Sequence, residues 1–189
     1  MSEPRLRPWR ILTSEYLIQT KFLRLRSDRV ELPSGVVVDD YFVRESRGFC
    51  VVLAITPDGD VLLVQQYKHG AGAILTELPA GMIDADETPE ACATRELAEE
   101  TGYAGSAPEL VRTLFADPTN ATGRFYVFVV RDARPTATTK FDVTEDIVVT
   151  TAPLDEVRAM ALDGRIASGS QVAAALVAVE YVRGTTART

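Results

Sequence analysis

Three glutamates, Glu96, Glu99 and Glu100, stand at i, i+3 and i+4 in the run Thr88-Pro89-Glu90-Ala91-Cys92-Ala93-Thr94-Arg95-Glu96-Leu97-Ala98-Glu99-Glu100-Thr101-Gly102. On an α-helix that spacing puts all three carboxylates on one face. Like charges so placed repel and weaken the helix, and a divalent cation among them relieves the repulsion. Carboxylate oxygens are hard ligands, which suits Mg²⁺ or Mn²⁺. Arg95 and Glu87 add charges able to orient the cluster. Taken alone, three such glutamates read as a solvated acidic helix face, so their surroundings must decide.

The elements around them are legible in outline. Thr88 suits a helix N-cap, Pro89 the first helical position, and Gly102 a left-handed C-cap, giving a helix from about Pro89 to Thr101. Ahead of it the chain is β-rich. Short apolar alternations run over Leu17 to Leu25 and Arg29 to Leu32, Pro33-Ser34-Gly35 signals a turn, and Val36 to Val43 reads as a strand. Phe49 to Thr56 is a continuous apolar run, as for a strand buried on both faces. Pro57-Asp58-Gly59-Asp60 then turns into Val61 to Tyr67, so residues 49 to 67 are expected to form a hairpin. Beyond the helix, Leu110 to Phe115, Arg124 to Arg131 and Ile147 to Thr151 read as strands. Pro153 to Leu162 and Gln171 to Val182 read as helices, and Arg183 to Thr189 as a frayed tail. Strands before and after a helix, with two late helices, predict a mixed α/β layered fold.

Composition removes several classes of function. The 189 residues suit one domain with a small extension, and a chain of this length buries roughly 70% of its unfolded surface without staples. Hydrophobic residues make up 46% and charged residues 25%, as in a soluble globular protein. A formal net charge of -7 argues against bulk nucleic-acid binding, which needs basic patches, but permits a small phosphorylated substrate bridged by metal ions. Cys50 and Cys92 are expected to be buried, reduced thiols. Arg5, Arg7 and Arg10 have no apolar core behind them, and no run approaches 18 apolar residues, so neither signal peptide nor membrane span is expected and a cytoplasmic enzyme is the default.

The residues around the glutamates resolve the ambiguity. Gly81, five residues, Glu87, seven residues, then Arg95-Glu96-Leu97-Ala98-Glu99-Glu100-Thr101-Gly102 and Tyr103 resembles the signature of the Nudix hydrolases. Its fixed positions match without a gap, an agreement on the order of one in a billion per starting position at background residue frequencies. Tyr103 is a slight departure from the aliphatic residue usual there. The flanks Val64-Gln65-Gln66-Tyr67 and Glu77-Leu78-Pro79-Ala80-Gly81, and Pro118 fifteen residues past Tyr103, resemble the ADP-ribose pyrophosphatase branch.

That resemblance implies a Nudix-type α/β/α sandwich with a mixed sheet and a β-rich N-terminal extension: residues 1–47 for dimerisation and nucleoside cover, 48–183 catalytic, 184–189 a flexible tail. It implies hydrolysis of the diphosphate of a nucleoside diphosphate sugar, foremost ADP-ribose to AMP and ribose 5-phosphate, with Mg²⁺ or Mn²⁺ as cofactor. Glu96 and Glu100 are the implied principal metal ligands, with Glu99 close behind and the carbonyl of Ala80 beside them; Gly81 would allow the turn that exposes that carbonyl. Glu99, Glu100 and Glu145 are the implied catalytic carboxylates, and Arg95 and Glu87 orient them. Lys68, Gln66 and Pro118 are implied in substrate binding. Two departures bear on the substrate. Lys68 replaces the branch's usual Arg and lacks its bidentate fork, and the loop Pro118-Thr119-Asn120-Ala121-Thr122-Gly123 lacks the branch's glutamate.

Several residues carry two readings. Glu145 and Asp146 read as a solvated turn or, for Glu145, as the residue completing the site. His69 reads as an exposed bystander. Trp9 and Tyr41 read as packing residues or as a stacking surface for a nucleobase. GDP-mannose, UDP-glucose or a nucleotide cofactor remain alternative substrates, and a non-catalytic ligand sensor is a third reading, against which the intact glutamates argue. The strands of residues 10 to 47 imply a homodimer.

Overall fold

Continuous apolar runs become strands with two buried faces in the computed structural model, which describes residues 6–136 and 146–186. Strand β4 (Phe49–Ala54) runs parallel to β10 (Arg124–Val130), Phe49 opposite Phe125 and Ala54 opposite Val130. Successive side chains in a strand point to opposite faces. Val51, Leu53, Val127 and Val129 therefore enter one core, and Cys50, Val52, Phe128 and Val130 another. The first core is closed by α2 (Leu154–Asp163) and α3 (Gly169–Thr186), through Val157, Ala161, Ala174, Ala178 and Val179. The second is closed by α1 (Pro89–Thr101), through Cys92, Ala93 and Leu97. A mixed sheet thus lies between helical layers, as expected.

The remaining strands fall in place around this centre. β5 (Asp60–Lys68), β6 (Ala73–Glu77), β7 (Ala80–Met82), β8 (Tyr103–Ala104), β9 (Glu109–Phe115), β11 (Arg134–Pro135) and β12 (Ile147–Pro153) are the other strands beyond Ser46 among the described residues. One sheet has the order β7-β4-β10-β9, another β12-β5-β6, and β11 pairs with β8. The expected hairpin over residues 49 to 67 is not formed. β4 has both edges taken by β10 and β7, and β5 by β12 and β6, so the two strands diverge into different sheets. The pairing stops at the bridge Ile55–Val61 and the turn at Gly59, whose φ is 90°, where the Thr56 amide donates to Asp60 O at 2.8 Å.

The N-terminal strands are β1 (Arg10–Gln19), β2 (Arg24–Glu31) and β3 (Val37–Glu45), one antiparallel sheet. The apolar stretch Leu17 to Leu25 is not a single element. The chain reverses within it, where the hydroxyl of Thr20 accepts from the Leu23 amide at 2.9 Å and the Thr20 amide donates to the Leu23 carbonyl at 2.9 Å. Two compact units result: the described residues up to Ser46 with Phe115–Gly123, and Arg47–Leu114 with Arg124 onward. The expected frayed tail does not begin at Arg183. α3 continues to Thr186, and Arg183 pairs with Asp155 and Glu180.

Candidate active site

Local chemistry makes α1 and fixes its rotation. Thr88 Oγ1 accepts from the Ala91 amide at 3.2 Å, Pro89 takes the first turn where no amide is needed, and Gly102 caps the end at φ 74°, its amide reaching Ala98 O at 2.9 Å. Cys92, Ala93 and Leu97 are anchored in the core, so the helix cannot turn about its axis. Glu96 and Glu100 then fall on the flank beside β7 and β5, at only 9% and 3% exposure. Glu99 is the outer member of the trio, its side chain 43% exposed.

Buried carboxylates require partners, and the strands supply them. Glu100 Oε2 accepts from the Ala80 amide at 2.9 Å, and Oε1 from Gln66 Nε2 at 3.4 Å. Gln66 thus lies against a site carboxylate. Gly81 leaves room for the Glu96 carboxylate. A Cβ on it would stand 1.9 Å from Glu96 Oε1 and 2.0 Å from its Cδ. The tight turn expected at Gly81 is absent: it lies in β7, paired with Cys50, and is not among the positive-φ glycines.

Arg95 is the hub of the acidic cluster. Its Nε and Nη2 grip Glu87 at 2.8 and 2.9 Å, the bidentate fork that suits a guanidinium. Its Nη1 reaches Glu96 Oε1 at 2.7 Å and Glu99 Oε2 at 3.0 Å, and Nη2 also donates to Met82 O at 3.1 Å. The hydrogen bond from Arg95, with that from the Asp84 amide, holds the Glu87 carboxyl below the ordinary carboxylate range despite some burial. The carboxylates in turn raise the affinity of Arg95 for its proton, Glu87 first. A cavity of about 410 Å³ opens beside this cluster, lined by Arg47, Asp84, Ala85, Asp86, Glu87 and Arg95.

Lys68 Nζ stands 3.1 Å from Glu77 Oε2; the lysine is partly exposed, the glutamate buried. Cys50 and Cys92 are free, buried thiols with sulfurs 3.0 Å apart. Each other's proximity and burial push the Cys50 thiol's pKa up, which suppresses the reactive thiolate. His69 is exposed, 6.2 Å ring to ring from Tyr67. In the N-terminal unit Trp9 meets Tyr41 edge-on at 5.5 Å, and the Tyr41 hydroxyl donates to Thr119 O at 2.6 Å. Pro118 belongs to that same unit, in a turn where the Asp117 carbonyl accepts from the Ala121 amide at 2.8 Å. Glu145 lies outside the described residues, and Asp146 is exposed.

The structure therefore brings Glu87, Arg95, Glu96, Glu99, Glu100, Ala80 and Gln66 together, with Lys68 farther along β5. Sequence reasoning gave no role to Arg47, which lines the cavity, or to Glu77, which pairs with Lys68. The donor set fits a divalent cation: hard carboxylate oxygens, with Glu100 held by the Ala80 amide and Glu96 packed directly against the bare Cα of Gly81. Among the described residues no three acidic, His or Cys side chains already form a cage. Arg95 engages Glu96 and Glu99, while Ala80 and Gln66 engage Glu100.

The chain is similar to known proteins over most of its length. The NUDIX domain matches residues 44–173, and the nucleoside diphosphate sugar hydrolase N-terminal domain matches residues 9–43. An ADP-ribose pyrophosphatase of Bacillus subtilis is 31% identical over 121 residues, which span 64% of this chain and 65% of that protein. An ADP-ribose pyrophosphatase of Mycobacterium tuberculosis is 30% identical over 167 residues, 87% of this chain and 80% of that one. The crystal structure of an ADP compounds hydrolase shares the fold at a TM-score of 0.83, covering 97% of this chain and 98% of that chain at 21% identity.

Proposed function

This chain belongs to the Nudix family of hydrolases, and from that premise we propose that it cleaves the diphosphate of ADP-ribose, water adding to one phosphorus as the bridging P–O bond breaks to leave AMP and ribose 5-phosphate. The observation that carries the reading is the pair of buried carboxylates, Glu96 and Glu100, turned onto the backbone of Ala80 and Gly81. Charge buried this deeply beside an amide and a side-chain-free glycine is poorly explained as a solvated helix face.

Nudix hydrolases work with divalent cations, and Mg²⁺ or Mn²⁺ bound here would neutralise the diphosphate and lower the pKa of the attacking water. Glu96, Glu100 and the Ala80 carbonyl are the proposed ligands, with Glu99 joining from the exposed side. Gln66 and the Ala80 amide hold the Glu100 carboxylate in orientation. Arg95, braced by Glu87, offsets the charges of Glu96 and Glu99 when no cation is bound. Glu145, placed by sequence alone, is proposed to assist water activation; unchanged kcat in Glu145→Gln would remove that role. Lys68 offers a point charge to the phosphates, steadied by Glu77. Pro118 is retained as a substrate-side residue from its sequence position.

The nucleoside preference rests on the Gln-Tyr and Glu-Leu-Pro-Ala-Gly flanks and on the relatives' substrate. The diphosphate is common to all candidates, so discrimination must come from base and sugar contacts. A panel of ADP-ribose, GDP-mannose and UDP-glucose, each with Mg²⁺ and with Mn²⁺, is expected to give the highest kcat/KM for ADP-ribose. A tenfold lead for either of the others would overturn the substrate while leaving the chemistry intact. The proposal includes a homodimer built on the N-terminal strands, for which light scattering at micromolar concentration is the test. It also includes a cytoplasmic location, which fractionation of expressing cells tests.

A further inference from the structure

Between β6 and β7 the chain passes through Leu78 and Pro79 without a ladder of its own, and its polar groups are satisfied one by one. Pro79 O accepts from the Val52 amide at 2.9 Å. The Ala80 amide goes to Glu100. Leu78 uses a side chain from α3: its amide donates to Gln171 Oε1 at 3.0 Å, and Gln171 Nε2 donates back to Leu78 O at 3.2 Å. A carboxamide so placed imitates one rung of a neighbouring strand, with donor and acceptor on one rigid plane. Gln171 is 3% exposed and Leu78 fully buried, so water cannot replace these bonds. A buried polar side chain kept in an otherwise apolar helix face of Ala174, Ala175 and Ala178 needs a reason beyond packing, since an apolar residue would serve the core.

The geometry points to Gln171 as a positioning residue for the metal site: we infer that its two-point hold on Leu78 sets the Pro79-Ala80-Gly81 backbone against Glu100 and Glu96. The inference rests on the proposed metal reading and extends it to a residue more than ninety positions from Leu78 in sequence. Leu78 is two residues from Ala80, so a shift of its peptide plane moves the Ala80 amide and carbonyl together. Groups that orient ligands without touching the cation change metal affinity about 10- to 100-fold when removed.

The test is Mn²⁺ binding to the resting protein, without substrate, read by electron paramagnetic resonance of the free ion. Gln171→Met keeps length and loses both hydrogen bonds. Val172→Ala loosens the same helix and leaves the clamp intact, and serves as the stability-matched control. Gln171→Met is expected to raise the Kd for Mn²⁺ at least tenfold and Val172→Ala to leave it within twofold, at comparable loss of Tm. Should Gln171→Met prove too unstable to purify, Gln171→Asn, one methylene short of Leu78, is measured in its place with the same expectation. Equal Mn²⁺ affinity in wild type and the Gln171 variant would overturn the inference alone, as would an equal loss in Val172→Ala. A wild-type protein that binds no Mn²⁺ would overturn the metal reading and this inference with it.

Discussion

Helix α1 and the segment from Val64 to Gly81 supply facing halves of one site, and they are held by opposite means. The helix is locally determined. Its caps lie within a few residues of its ends, and the stripe of Cys92, Ala93 and Leu97 fixes which face meets the sheet. The strand segment is held from far away: β5 by β12, Leu78 by Gln171, Pro79 by Val52, Ala80 by Glu100. A helix can thus carry the chemical groups in a short continuous run, while the surface that receives them is assembled from distant parts of the chain. Damage to the first should remove chemistry, and damage to the second should misplace it.

The strongest test of that division removes a group from the helix. Glu100→Gln, or metal depletion with EDTA, is expected to lower kcat by about three orders of magnitude, because a bound cation is worth several kcal/mol of transition-state charge and each ~1.4 kcal/mol is tenfold. Circular dichroism should remain that of the wild type. Full turnover in EDTA would refute the mechanism.

Next comes the receiving surface. Gly81→Ala places a carbon 1.9 Å from Glu96 Oε1, so the carboxylate must move. Displacements near 1 Å cost about 10²-fold in rate, and steady-state kinetics should show the loss in kcat with α1 intact by circular dichroism. Activity equal to wild type would mean that Glu96 needs no fixed place.

A smaller effect separates charge from geometry on the helix itself. Arg95→Lys keeps the charge but loses the fork that grips Glu87 while reaching Glu96 and Glu99, and about tenfold lower kcat/KM is expected. The Arg95–Glu87 pair also sets a pH dependence. Glu87 titrates below its ordinary 4.5 in the folded state, so its stabilising contribution is complete above that pH and fades as pH falls below it. Tm measured from pH 7 to pH 3 should therefore drop less steeply in Glu87→Gln than in wild type; parallel curves would count against the pair.

The smallest effect is expected at the long hydrogen bond. Gln66→Ala removes a 3.4 Å contact to Glu100 that the Ala80 amide partly duplicates. About two- to fivefold lower kcat/KM fits one weak neutral-donor bond, worth roughly 0.5–1 kcal/mol.

The sequence made α1 legible because caps, charge spacing and the buried stripe all lie within one short run. The apolar run of β4 was legible as a strand with two buried faces and that of β10 as a strand, but their partners were not. Pro57 to Asp60 read as a hairpin because turn chemistry is local, whereas the choice between β5 and β10 as neighbour depends on edges filled elsewhere. Thr20 hid a reversal inside an apolar stretch for a related reason: one hydroxyl does what a Gly or Pro signal ordinarily announces. Gln171 was unreadable, since a glutamine in a helix gives no sign that its amide answers a strand. Gly81 was read as allowing a turn, whereas it lies in β7 against Glu96, a steric demand that appears only when the helix is in place.

The parallel pairing of β4 with β10 has a consequence for how the molecule is born. These strands are separated in the chain by β5, β6, β7, α1, β8 and β9, so their register forms only after a long loop closes. Such non-local pairing slows folding. On a ribosome, α1 emerges with its glutamates well before β10 and α3 exist to complete the layers around it. The acidic helix should therefore spend its first moments as a nascent segment with only its own Arg95 to offset Glu96 and Glu99, and the arrival of β10, β12 and α3 decides when a functioning site first exists.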